Sequence, residues 1–206
     1  AARALDIGTG TGLLALMLAQ SNPALHIDGV EIEAQNYGQA VDNVNQSPFV
    51  DRIAIHHGAI QDWSVTNRTE TASVSPYDLI ISNPPFFARH LRSPSQARNR
   101  ALHTETLSLS ELMASVARLL AEDGRFVVLL PPYETQRLTK IAAAFELRPV
   151  RQLHIFQRPD KPLFRIITTF ERRNADSLTE TLYIHDQDGQ YSEGFRTLLK
   201  EYYLIF

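Results

Sequence analysis

Four consecutive residues, Asn83-Pro84-Pro85-Phe86, have the types needed to hold a planar amino group. They follow Asp78-Leu79-Ile80-Ile81-Ser82, an apolar run suited to a buried strand. Proline cannot continue a central strand, so two in succession stop it at its carboxyl end, where open α/β sheets bind ligands. Asn83 is thereby directed into a crevice. Its side-chain carbonyl and the main-chain carbonyl of Pro84 each accept a hydrogen bond, which suits an NH2 group on a ring or amide. The prolines stiffen this pair of acceptors, as positioning for a group transfer requires. Phe86 adds a flat apolar face on which a planar substrate can stack.

A second cluster opens the chain. Leu5-Asp6-Ile7-Gly8-Thr9-Gly10-Thr11-Gly12 sets three glycines at alternate positions where a first strand meets a first helix. Glycine there permits positive φ and close approach of a ligand to the main chain, and the helix start offers unpaired N–H groups. The spacing differs from the dinucleotide fingerprint, because Leu13 stands where its third glycine would be. Some twenty residues on, Glu31 ends a second strand, where a carboxylate can accept from both hydroxyls of a ribose. Gly58-Ala59-Ile60-Gln61-Asp62, after a third strand, is a weak signal by itself, since an aspartate in a loop is as often solvated or a cap.

Elements in alternation must position these residues. Strands are expected at Ala4 to Ile7, Ile27 to Glu31, Ile53 to His56, Leu79 to Ser82 and Phe126 to Leu130, with helices at Leu13 to Gln20 and Glu33 to Asn45. Ser108 and Glu111 have the form of a capping box before a helix ending near Leu120. Asp123-Gly124 reads as a turn, and a further helix is expected near Thr135 to Phe145. Val150 to Phe156 and Phe164 to Phe170 are joined by too short a connection for a parallel crossover, so they should be antiparallel. Gly58 to Pro76 and Phe86 to Leu107 read as long irregular stretches, and Tyr191 to Phe206 as an amphipathic end helix covering a sheet edge.

Composition bounds the rest. A chain of 206 residues, 44% apolar, forms one large domain, expected to span residues 1–206. The longest uncharged apolar run, Phe126 to Tyr133, is far short of the roughly 20 residues that cross a bilayer, and no signal peptide opens the chain. A cytoplasmic protein without a membrane is expected. Absence of cysteine excludes disulfides, thiolate metal sites and cysteine nucleophiles, and no metal is expected. The net charge of −3 is uneven. Arg89 to His103 carries Arg89, Arg92, Arg98 and Arg100 without an acid, a formal +4, and Leu147 to Phe170 carries another +4, leaving −11 elsewhere. Both basic segments border the predicted site, and basic loops beside an amino-group pocket fit contacts to a phosphate backbone. His103 joins the arginines as a candidate RNA contact.

Asp6-x-Gly8-x-Gly10-x-Gly12 with Gly29-Val30-Glu31 resembles the cofactor motif of class I methyltransferases. The resemblance implies a Rossmann-like α/β fold, with a mostly parallel seven-stranded sheet, a C-terminal antiparallel hairpin and helices on both faces. It implies S-adenosylmethionine as cofactor and S-adenosylhomocysteine as product. Gly8, Thr9, Gly10 and Gly12 then lie against the methionine part, Asp6 supports their loop, Glu31 holds the ribose, Ile60, Gln61 and Asp62 hold the adenine, and Ile32 and Asn83 are further cofactor contacts. Asn83-Pro84-Pro85-Phe86 resembles the motif of methyltransferases acting on an exocyclic or amide nitrogen. Direct in-line transfer follows, with no general base and, for a stacked base, its removal from the stack.

Two substrate classes share that motif: adenine N6 in nucleic acid and the glutamine amide of a release factor. Leu13 to Gln20, Asn45-Gln46-Ser47-Pro48, Ile80 to Phe87, Gln190 to Glu193 and Tyr202-Tyr203-Leu204 together resemble bacterial tRNA adenine-N6 methyltransferases acting beside the anticodon of a valine tRNA. That resemblance covers Ala4 to Phe206 and implies tRNA as partner, with no obligate protein partner. Glutamine methylation of a protein, or a non-catalytic cofactor- and RNA-binding domain, are the alternatives. The resembled family also has a Lys-x-Gly-Thr-Asp-like turn before its first strand. Ala1 to Arg3 cannot supply it, so the segment preceding the first strand is expected to be missing and cofactor affinity to be poor.

Overall fold

The computed structural model describes residues 2–63, 76–84, 107–173 and 176–204. Within them eight strands form one sheet in the order β3-β2-β1-β4-β5-β7-β6-β8. The strands are β1 (Ala2–Ile7), β2 (Leu25–Glu31), β3 (Ile53–His57), β4 (Tyr77–Ser82), β5 (Leu120–Leu130), β6 (Arg148–Phe156), β7 (Leu163–Glu171) and β8 (Leu178–Tyr183). The helices are α1 (Leu13–Ser21), α2 (Ala34–Asn45), α3 (Leu109–Leu119), α4 (Pro132–Ala142) and α5 (Glu193–Leu199). β1 to β5 are parallel, whereas β7 runs antiparallel to both β5 and β6. The expected α/β class and antiparallel hairpin are therefore both present.

Alternation along β1 explains why its apolar run is buried on both faces. Leu5 and Ile7 enter one core with Leu112, Met113 and Val116 of α3 and Leu138 of α4. Ala4 enters the other, with Ala15 and Ala19 of α1 and Val44 of α2. Across the antiparallel junction, Phe126 of β5 pairs in register with Phe170 of β7, their rings 6.0 Å apart, and both are fully buried. The Ser108 capping box is also present: its hydroxyl accepts from the Glu111 N–H, and the Glu111 carboxylate accepts from the Ser108 N–H.

Two expectations are corrected. Asp123-Gly124 is not a turn but part of β5, at an irregularity where β4 and β5 shift register. Glycine is needed there because a Cβ would meet the Tyr77 carbonyl oxygen at 2.9 Å. The sheet edge, moreover, is filled by an eighth strand, β8, parallel to β6. The C-terminal helix is seven residues long and packs against β8, the strand that forms this edge. The strand was hidden because Leu178–Tyr183 reads LTETLY, polar enough to pass for a loop, and an edge strand buries little. Most of Gly58 to Pro76 and of Phe86 to Leu107 lies outside the described residues.

Candidate active site

Strand order reverses between β1 and β4, which makes their carboxyl ends the switch point of the sheet. Ile7 and Ser82 face each other in register there. The buried Ser82 hydroxyl donates to the Ile7 carbonyl at 2.9 Å, fixing the two exits side by side. From one leaves the glycine loop, from the other Asn83 and Pro84. Asn83 is exposed, and no hydrogen bond among the described residues uses its side-chain amide. Pro84 is half-buried. Pro85, Phe86, Arg89, Arg92, Arg98, Arg100 and His103 lie outside the described residues.

Gly8 and Gly10 have φ of 69° and 59°, a region that strains any side chain, and an added Cβ at either would meet nothing within 4 Å. The loop therefore presents bare backbone to open space. It is anchored from below, where the N–H groups of Gly8 and Thr9 both donate to the Val30 carbonyl. The buried Glu31 carboxylate adds a second anchor, one oxygen accepting from the Gly10 N–H and the other from the Glu33 N–H, each at 2.8 Å. The Glu31 carbonyl accepts from the Gly58 N–H at 2.9 Å. One residue thus ties together the loops that follow β1, β2 and β3. Its carboxylate still has acceptor capacity, since each oxygen carries two lone pairs.

Asp6 is buried beneath the loop, accepting from the Thr9 hydroxyl at 2.7 Å through one oxygen, while the other has no hydrogen-bond partner among the described residues. Burial pushes its carboxyl up to about 6, opposed by the Thr9 hydrogen bond and assisted by the Glu31 charge. The α1 backbone at Ala15 offsets part of this without closing a hydrogen bond onto the free oxygen.

Beyond Glu31 the side chain of Ile32 is 50% exposed, whereas Ile60 is 4% exposed and belongs to the core. Ile32 thus offers an open apolar face at this rim, and Ile60 supports the rim from within. Gln61 and Asp62 are exposed on the turn after Ile60. That turn is held by Arg118 of α3, whose guanidinium donates to the carbonyls of Trp63 (2.5 Å), Ile60 (3.3 Å) and Gln61 (3.4 Å).

Sequence reasoning missed Arg118, and with it a buried polar cluster behind the turn. Trp63 Nε1 donates to the Tyr77 hydroxyl, which donates to Asp28 at 3.0 Å. Asp28 also accepts from Arg3 at 3.0 Å, and its other oxygen lies 2.9 Å from His56 Nε2. The His56 ring packs on Trp63, centroids 4.4 Å apart. Burial, then the Asp28 charge, pushes the Tyr77 hydroxyl up to about 12. The only sequence signal was an aspartate inside an apolar strand.

The carboxyl end of the sheet thus carries bare glycine backbone, the Glu31 carboxylate, the open side chain of Ile32 and, across the switch point, Asn83. The sequence pattern of the family described as methyltransferase small domain matches residues 1–146. A protein named tRNA1(Val) (adenine(37)-N6)-methyltransferase from Dyadobacter fermentans is 42% identical over 99% of this chain and 83% of its own. One of the same name from Bacteroides thetaiotaomicron is 38% identical over 98% and 82%. Among solved structures, one described as a predicted O-methyltransferase from Agrobacterium tumefaciens superposes with a TM-score of 0.73 at 14% identity, covering 97% of this chain and 88% of its own, a likeness of fold.

Proposed function

The chain belongs to the methyltransferase small-domain family, and from that premise we propose that it transfers a methyl group from S-adenosylmethionine to N6 of an adenine in tRNA, the reaction named for its relatives at adenine 37 of tRNA1(Val). The observation that carries the reaction is the juxtaposition of Asn83 and Pro84 with the glycine loop, held by the Ser82–Ile7 hydrogen bond. Near full-length identity to tRNA-modifying relatives supports the substrate.

The residues present fit the cofactor. Open space above Gly8 and Gly10, and the unpartnered Asp6 oxygen below, suit a polar end such as its methionine part. Thr9 and Gly12 complete that loop. Glu31 has lone pairs left for two hydroxyls, Ile32 has a free apolar face for a ring, and Gln61 and Asp62 supply polar groups at its edge. When bound, S-adenosylmethionine supplies a methyl group activated on a sulfonium.

The chain's own residues do the rest by positioning. Asn83 Oδ1 and the Pro84 carbonyl accept the two N–H bonds of the target amino group, so the nitrogen lone pair is turned toward the methyl. Phe86 stacks on the base. With the cofactor bound, the bond from this nitrogen to the methyl carbon would form as the carbon–sulfur bond broke, and the nitrogen, positive after transfer, would give one proton to solvent. No side chain acts as a base. Arg89, Arg92, Arg98, Arg100 and His103 contact RNA phosphates in this reading. Among the described residues no helix is long and apolar enough to cross a membrane.

The test uses the full-length protein with methyl-labelled cofactor and either total tRNA or a release factor, followed by nucleoside analysis. Label in N6-methyladenosine is expected. Label in the protein substrate alone would refute the reading in favour of glutamine methylation.

A further inference from the structure

The two strands flanking the carboxyl-end crevice beyond β1 end alike. β4 runs into Asn83-Pro84-Pro85-Phe86, and β5 into Pro131-Pro132-Tyr133. They are parallel neighbours, with Ser82 opposite Val128, so Tyr133 follows its strand at the same carboxyl end of the sheet as Asn83. Its backbone is set by Pro131 and Pro132 at the start of α4, and its ring is 64% exposed. A ring this exposed leaves much of its flat face open to a ligand.

Its neighbours say what it suits. Tyr133, Gln136, Arg137 and Lys140 fall at helical spacing on the exposed side of α4, a stripe about 10 Å long with two cations and no acid. The Arg137 guanidinium lies over the Tyr133 ring, 5.8 Å from its centroid. Neither Arg137 nor Lys140 has an acidic partner among the described residues. Beside the stripe, a groove of about 600 Å³ runs between α4 and the β6–β7–β8 end of the sheet. Pro132 and Leu163 line it toward the carboxyl end, His154 and Gln152 lie in its wall, and Lys140 borders it, without a single carboxylate in its lining.

We propose that Tyr133 and this groove are a binding track for single-stranded RNA next to the target base, with one base stacked on Tyr133 and the sugar-phosphate chain passing Arg137 and Lys140. The inference rests on the tRNA reading above. Exposed aromatic faces interleaved with unpaired cations are how single strands are held without sequence readout, because every base has a π-face and every linkage a charge. A base removed from its stack for methylation leaves its neighbours unstacked, and Tyr133 gives one of them a new surface.

The test compares the full-length wild type with Tyr133→Ala, Tyr133→Phe and the double variant Arg137→Gln/Lys140→Gln. Binding of a fluorescein-labelled anticodon stem-loop RNA is followed by anisotropy over a salt series, alongside KM for tRNA and for S-adenosylmethionine. Tyr133→Ala should weaken RNA binding and raise KM for tRNA about tenfold, leaving the cofactor KM and melting temperature unchanged, while Tyr133→Phe behaves as wild type. The double variant should flatten the slope of log affinity against log salt by about 1 to 2. Wild-type affinity, KM and salt slope in all variants of a protein that does methylate tRNA would overturn the track and spare the function. A wild type that methylates only a protein substrate would overturn both.

Discussion

Asn83 makes no side-chain hydrogen bond among the described residues, so its replacement should act on chemistry alone. Asn83→Ala is expected to lower kcat by roughly a hundredfold or more, the scale for losing a positioning contact, with cofactor affinity nearly intact when followed by calorimetry. Equal loss of both would reassign Asn83 to the cofactor or to the fold. Asp6 gives a second prediction. Its folded value of about 6 lies above the ordinary 3.8, so its contribution is fully present below about pH 4 and is lost as pH rises through about 6. Asp6→Asn, which carries no charge to bury, should match the wild type near pH 4 and exceed its stability above pH 6 by up to about 3 kcal/mol, seen by urea unfolding at a series of pH values. A difference independent of pH would mean that the Asp6 carboxyl is already solvated. The positions of the glycine loop and of Asn83 at strand ends were legible because turns of this kind are a matter of residue type and local spacing. Roles were less so: Glu31 was expected only to accept from a ligand, yet in the fold both its oxygens also brace the backbone.

Elements explain why the rim is rigid where the sequence looked loose. The turn bearing Gln61 and Asp62 follows β3, but it is fastened by Arg118, 55 to 58 residues further along the chain. The helix itself starts at a fixed point through the Ser108–Glu111 box. Arg118→Ala should therefore raise KM for S-adenosylmethionine about fivefold to tenfold at nearly constant kcat, the scale of one or two hydrogen bonds from a charged donor. A changed kcat with unaltered KM would sever the turn from cofactor binding. Strand and helix identities were legible from periodicity and caps, whereas β8 and the continuation of β5 through Asp123-Gly124 were not. Both depend on what lies alongside: β6 supplies hydrogen bonds to a polar edge strand, and glycine is required at position 124 only because the Tyr77 carbonyl lies against it.

At the scale of the molecule, one buried carboxylate joins the parallel strands. Asp28 on β2 receives Arg3 from β1, His56 from β3 and Tyr77 from β4, and Tyr77 continues to Trp63. A buried charge is tolerated only when so surrounded, and removing one partner exposes the rest to the cost of desolvation. Tyr77→Phe should lower stability by about 1 to 2 kcal/mol and shift the emission of Trp63, the single tryptophan, with urea unfolding and fluorescence as the readouts. An unchanged emission maximum would mean that Trp63 does not depend on the Tyr77 hydroxyl. The net charge of −3 likewise resolves into parts, since basic segments at two places coexist with an acidic remainder.

What the sequence determined by itself was the list of chemical parts and their order along the strands, because glycines, prolines and apolar alternation act through neighbouring backbone. It thereby set the fold class and placed the glycine loop and Asn83-Pro84 at the carboxyl ends of neighbouring strands. What only the tertiary structure decided was which distant side chains hold those parts still: Ser82 joining β4 to β1, Arg118 clasping the turn, and Asp28 gathering four strands. These contacts pair residues tens of positions apart. Their partners are chosen by sheet order and register, and strand pairing between distant segments leaves no periodic mark on either segment alone.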